Sequence, residues 1–252
     1  MNKLLLGTMP IGNIKDITVR MLEAIETSDY ILCESLDTFR SQALEGGWKV
    51  SGELIEYCHT KMNDLHIKKY VSPKELSILF DFVIEQLKNN KKILVVSEYG
   101  SMFIEDPGAD LVERVLNSGF EITVLPGPSI VTTAYVAATI DSPDNIKDNN
   151  VRGSFLFQPF FMIENEDKEK MLESLKNDFR TKIFLDKTQN VKFLLSLIDK
   201  VFGDRLMVAA FNLTTNKEKI YRGRTKDIVN IFNELGDLHG ELITIVCKGV
   251  RN

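Results

Sequence analysis

Two short segments place glycine and serine where an apolar run ends: Val95-Val96-Ser97-Glu98-Tyr99-Gly100-Ser101-Met102 and Val124-Leu125-Pro126-Gly127-Pro128-Ser129. A strand that ends in such a turn and then enters a helix brings main-chain amides and carbonyls to the C-terminal rim of a parallel sheet. That rim is where open α/β sheets bind small molecules. The two turns read as two walls of one pocket. A third loop, Leu6-Gly7-Thr8-Met9-Pro10-Ile11-Gly12-Asn13, has glycines that let backbone approach a ligand closely. It lacks both Gly-x-Gly-x-x-Gly and Gly-Lys-Ser/Thr, so nicotinamide and nucleoside-triphosphate readings lose their main support. Cys33, Cys58 and Cys247 are too scattered for a disulfide framework, and His59, His66 and His239 form no metal-binding spacing. Free thiols and no metal are expected.

The elements that must hold these turns alternate in type. Lys3 to Leu6, Tyr30 to Cys33, Ile93 to Ser97 and Glu121 to Leu125 read as strands, with amphipathic helices at Pro73 to Leu87 and Ala109 to Asn117. Asp16 to Arg20 opens a further helix whose apolar face is Val19, Leu22 and Ile25. Alternation of this kind means a parallel sheet. The polar, turn-rich stretch from Asp141 to Asn150 reads as a linker. The expected division is an N-terminal α/β domain over 1–140, a linker over 141–153 and a C-terminal mixed α/β domain over 154–252. In that second part Ser154 to Gln158, Lys182 to Leu185, Leu206 to Phe211, Lys219 to Arg222 and Leu242 to Cys247 read as strands. Helices fall near Asp167 to Asp178, Val191 to Val201 and Lys226 to Leu235. The gap from Phe211 to Lys219 leaves no room for a crossover helix, so part of this sheet is expected to be antiparallel.

A hydrophobic content of 44% with 27% charged residues excludes a disordered chain. The longest apolar stretch, Ile130 to Ile140, is broken by threonines and falls well short of the roughly 20 residues of a membrane helix. The start carries too short an apolar region for a secretory signal, so a cytoplasmic protein is expected. A net charge of −5 argues against broad, sequence-independent nucleic-acid binding while leaving room for a local basic patch.

Taken together and in register, Thr8-Met9-Pro10-Ile11-Gly12-Asn13 with Asp16-Ile17-Thr18-Val19-Arg20, Ser97 to Gly108, and Leu125-Pro126-Gly127-Pro128-Ser129 resemble the tetrapyrrole methylase superfamily. The likeness is closest to the branch that methylates a ribose 2′-hydroxyl of small-subunit ribosomal RNA. It continues through Phe155-Leu156-Phe157, Leu213-Thr214, Ile220-Tyr221-Arg222-Gly223 and Gly240-Glu241. The resemblance implies a two-domain α/β fold, S-adenosyl-L-methionine as methyl donor bound between the halves largely by backbone, and a homodimer. It assigns donor contacts to Pro10, Glu98, Gly100, Ser101, Ser129 and Ile130, with Phe157, Gln158, Ala210 and Gly240 from the second domain.

The chain departs from that branch on the acceptor side. It has Ser97-Glu98-Tyr99-Gly100-Ser101-Met102 for Ser-Asp-Ala-Gly-Thr-Pro, Glu34-Ser35-Leu36-Asp37 for Glu-Asp-Thr-Arg, and Asp186-Lys187-Thr188-Gln189-Asn190 for Glu-Ser-Pro-His-Arg. Cys58-His59-Thr60-Lys61 replaces His-Glu-His-Asn, and Phe211-Asn212 replaces Arg-Glu. A sulfonium donor is already activated, so holding the nucleophile in line supplies much of the acceleration. A ribose hydroxyl still needs a base or a stabilised alkoxide. Glu34, His59, Glu98 and Asp186 are the polar side chains left for that work, with Glu34 and Asp186 the expected catalytic acids; ordinary surface or hydrogen-bonding duty stays open for each. The run Lys217 to Lys226 carries basic residues that suit RNA phosphates or a solvated strand edge. Two alternatives stand beside ribosomal-RNA methylation: a tetrapyrrole, small-molecule or peptide methyltransferase of the same fold, and a non-catalytic donor-binding protein.

Overall fold

The computed structural model describes residues 3–57, 73–102, 108–139, 154–160, 163–235 and 242–248. These form two compact units, Met1–Ser129 and Ile130–Asn252. The expected linker over 141–153 lies outside the described residues.

In the first unit, strands β1 (Lys3–Gly7), β2 (Tyr30–Cys33), β3 (Glu53–Glu56), β4 (Ile93–Val96) and β5 (Glu121–Leu125) make a sheet of order β3-β2-β4-β1-β5. Every pairing is parallel. Such a sheet needs both faces covered, and β4 accordingly is apolar at all four positions, each fully buried. Alternate residues serve opposite faces. Ile93 and Val95 join Leu4, Leu6, Val83, Leu87, Leu111 and Val115 beneath α3 (Pro73–Lys88) and α4 (Ala109–Asn117). Leu94 and Val96 join Met21, Ile25, Ile31 and Phe39 beneath α1 (Val19–Thr27) and α2 (Leu36–Gly46).

Helix α1 starts where Thr18 accepts the Met21 N–H at 3.2 Å, as an N-cap should. Its buried face is Met21, Ala24 and Ile25; Val19, expected on that face, is 71% exposed. Val19 is the first residue after the cap, and the face that meets the sheet is turned about one position away from the run 19-22-25. Ser35 caps α2 through the Thr38 N–H, and Gly47 ends it in the left-handed conformation, at φ 63°.

The second unit opens with α5 (Ile130–Thr139), then β6 (Phe155–Pro159), α6 (Asn165–Ser174), β7 (Thr181–Lys187), α7 (Val191–Phe202), β8 (Leu206–Phe211), β9 (Lys219–Arg224), α8 (Thr225–Glu234) and β10 (Leu242–Cys247). The sheet order is β6-β7-β10-β8-β9, with β6–β7 parallel and the other pairs antiparallel, so the mixed sheet expected from the short 211–219 gap is present. Phe184, Met207, Ala209, Phe211, Ile243 and Ile245 pack with α6, α7 and α8. Helix α5 packs against β10, β7 and β8. Its Tyr135 ring meets Phe155 at 5.1 Å and its Ala137 carbonyl accepts from Arg222 Nη2 at 3.1 Å.

Candidate functional site

The strand order creates a crevice. From β2 the chain passes to β3, at one edge of the sheet; from β4, the neighbour of β2, it crosses to β5, at the other edge. Connections that diverge from adjacent strands leave a gap outside their C-terminal ends, the standard ligand position in open α/β sheets. The residues at this place are Glu34 after β2 and Ser97 to Ser101 after β4, with Thr8 to Pro10 after β1 on the other side of β4.

These loops are fastened to each other. Met9 and Gly100 exchange two main-chain hydrogen bonds, Met9 N–H to Gly100 O at 2.9 Å and Gly100 N–H to Met9 O at 3.0 Å. Ser97 Oγ donates a further bond to Gly100 O at 3.1 Å. Gly100 sits at φ +68°, and a Cβ there would lie 3.2 Å from Ile11 Cγ2. Its amide and carbonyl are thus spent inside the protein, and what it offers a ligand is the absence of a side chain. The Pro-Gly-Pro turn is tied in as well: Thr8 Oγ1 donates to Leu125 O at 2.9 Å, and a Cβ on Gly127 would come within 2.9 Å of the Thr8 side chain.

Acidic groups border this seam. Glu34, next after β2 and 3% exposed, accepts the Glu98 N–H on Oε2 at 3.2 Å. From α2, Gln42 Nε2 donates to the Glu98 carbonyl at 2.9 Å and Thr38 Oγ1 to Glu98 Oε1 at 3.2 Å. Tyr57 Oη donates to Val96 O at 3.1 Å, bracing the end of β4. Tyr99 stands on the outside of the turn with half its surface exposed.

Of the residues expected at the site, Pro10, Glu98, Gly100, Ser101 and Glu34 lie together along this rim, with Ser129 closing the neighbouring Pro-Gly-Pro turn. Ile130 begins α5 and belongs to the second unit. Phe157 pairs with Ile183, Ile183 with Val246 and Val246 with Val208, so Phe157 shares a sheet face with Val208 and Ala210. Phe157 and Ala210 are on β6 and β8, three strand spacings of about 4.8 Å apart. Gln158 takes the opposite face, and its Nε2 donates to Pro159 O at 3.0 Å. Asp186 has no exposed surface: Oδ2 meets Lys168 Nζ at 2.7 Å, while Oδ1 accepts from Lys187 N–H at 2.8 Å and Asn190 Nδ2 at 3.1 Å. Gly240 and His59 lie outside the described residues.

Sequence reasoning missed Thr38 and Gln42, because α2 itself was not read; the Ser35 cap and the Gly46-Gly47 stop were the available signals. Burial pushes the Cys33 and Cys247 thiols up to about 12, which makes both poor nucleophiles. Among the described residues no group of His, Cys, Asp and Glu could hold a metal ion, and no helix is long and apolar enough to cross a membrane.

The fold has counterparts among solved methyltransferases. The methyltransferase CobJ superposes with a TM-score of 0.66 at 14% identity, covering 99% of this chain and 95% of that one. Uroporphyrin-III-C-methyltransferase from Thermus thermophilus gives 0.63 at 15%, covering 98% and 94%. At these identities the likeness concerns the fold. The sequence pattern of the Tetrapyrrole (Corrin/Porphyrin) Methylases matches residues 5–229. Among curated relatives, Ribosomal RNA small subunit methyltransferase I of Thermotoga maritima is 30% identical over 249 residues, 99% of each chain. The protein of that name from Bacillus subtilis (strain 168) is 30% identical over 253 residues, 100% of this chain and 77% of that one. The chain therefore belongs to the tetrapyrrole methylase family and is a methyltransferase by family.

Proposed function

We propose that this protein transfers a methyl group from S-adenosyl-L-methionine to a ribose 2′-hydroxyl of small-subunit ribosomal RNA. The observation that carries the reading is its end-to-end similarity, 30% over 99% of both chains, to a ribosomal RNA small subunit methyltransferase. The rim suits the donor chemically: a half-buried carboxylate, Glu98, and a buried one, Glu34, border a seam at which Gly100 carries no side chain. Residues Pro10, Glu98, Gly100, Ser101 and Ser129 would hold the donor in the first unit. Ile130, Phe157, Gln158, Ala210 and Gly240 belong to the same proposal. When bound, the donor supplies a methyl group on a positively charged sulfur that needs no further activation.

The chain's own work is then to hold the hydroxyl in line and to take its proton. Glu34 is the acid we assign to that proton, being the one of the two named acids that stands at the rim. Asp186, held by three donors and closed to solvent, contributes as an anchor. The edge strand β9 exposes Lys219, Arg222 and Arg224, which suit RNA phosphates. A homodimer, checked by light scattering, completes the proposal.

The test is two-stage. Calorimetry should show heat for S-adenosylmethionine and for its demethylated product; folded protein that binds neither overturns the donor assignment. Tritiated methyl should then pass to small subunits from cells lacking this gene and map to a ribose. Binding without that transfer overturns the acceptor.

A further inference from the structure

All three polar groups of Glu98 are held by side chains from a single neighbouring arm. Its N–H goes to Glu34 at 3.2 Å, its carbonyl receives Gln42 Nε2 at 2.9 Å, and its carboxylate receives Thr38 Oγ1 at 3.2 Å. The arm is the end of β2 followed by the first two turns of α2. Glu98 is one carbon longer than the aspartate of the resembled branch, and its carboxylate meets Thr38 on α2.

Gln42 is the informative member. It is 8% exposed, and its Oε1 is buried with no hydrogen-bond partner among the described residues. A glutamine selected for packing alone would be replaced without loss by an apolar residue of its size, because an unmet buried acceptor opposes folding. Here the amide is turned so that its nitrogen serves the Glu98 carbonyl while its oxygen meets no donor among the described residues. Local conflict of this sort, kept inside an otherwise consistent core, marks a position held for a site rather than for stability.

We propose that Gln42 and Thr38 are positioning residues for donor binding: they fix the main chain and the carboxylate of Glu98, and through them the turn from Glu98 to Ser101 that flanks the Met9–Gly100 seam. The inference rests on the proposed use of S-adenosylmethionine. Gln42 acts on the main chain, which does not distinguish the charged sulfonium from the neutral thioether. Its loss therefore weakens donor and demethylated product by similar factors. Thr38 aims the carboxylate.

The test compares full-length Gln42→Met and Thr38→Val with the parent by calorimetry, thermal melting and methyl transfer. Gln42→Met keeps the volume, drops the donor and removes the orphaned oxygen. It is expected to melt within a few degrees of the parent, the removal of the unmet oxygen offsetting the Glu98 carbonyl left without its donor, while both ligands bind at least tenfold more weakly. KM for the donor should rise by that factor, with kcat within twofold. Thr38→Val is expected to weaken S-adenosylmethionine at least threefold, and it decides the matter if Gln42→Met fails to fold. A Gln42→Met variant that folds and binds the donor within twofold of the parent overturns the inference and leaves the function standing. A lowered melting temperature with unchanged affinity overturns it too, since the residue then serves stability alone. Parent protein that binds no donor overturns the function first, and the inference with it.

Discussion

Lys168 and Asp186 carry opposite charges to a place where neither meets water, with side chains 1% and 0% exposed and 2.7 Å apart. Removing one partner strands the other, and Lys168→Ala is expected to cost about 3–5 kcal/mol in a urea melt. Lys168→Met with Asp186→Leu should recover part of that loss, though Lys187 N–H and Asn190 then lose their acceptor. Asp178 offers a contrasting case at the surface, where Arg180 hydrogen bonds hold its carboxyl down at about 2 against an ordinary 3.8. The folded state binds this proton less tightly than the unfolded chain, so the pair stabilises above the ordinary value and loses that contribution as pH falls towards 2. With the Arg180 side chain 41% exposed, the contribution is below about 1 kcal/mol, and Arg180→Ala should shift the acid limb of a pH melt only slightly. At this scale the sequence showed which residues were acids but not what they faced. Asp186 and Glu34 looked alike as members of altered motifs, and only packing separates an anchor inside the second sheet's core from a group at the rim.

Strands and helices were more legible than their roles. β2, β5, β8 and β10, and helix α4, begin and end at the residues that hydrophobic alternation and turn chemistry indicate. Strand β3 and helix α2 escaped notice, the first because Glu53–Glu56 pairs only at the sheet edge and carries acids at both ends, the second because its buried face is narrow, Phe39, Gln42 and Ala43. Those two elements hold much of what braces the rim. Turn geometry makes the element-scale expectation definite. Gly100→Ala forces a side chain onto φ +68° and against Ile11, so it should lower stability by about 1–2 kcal/mol as well as weaken the donor. Thr18→Ala removes the α1 cap and should cost about 1 kcal/mol, measured in the same melts.

For the molecule as a whole, each unit has its own apolar core, so a single unfolding transition is not expected. Trp48, the one tryptophan, reports on the first unit, and the buried Cys247 thiol reports on the second. Urea titration followed by tryptophan fluorescence and by pulsed alkylation of Cys247 should give separate midpoints; one shared midpoint would show the cores unfolding together. The sequence indicated two α/β parts of different sheet type, because strand spacing carries that information. It did not indicate that α5 covers β7, β8 and β10, because a helix apolar on most sides does not say which sheet it will lie on. The Met9–Gly100 exchange bears on how such a protein can change over time. Each of those residues spends both main-chain groups on the other, so neither loop can gain or lose a residue there without unlatching its counterpart. Insertions that leave this latch whole must enter beyond it.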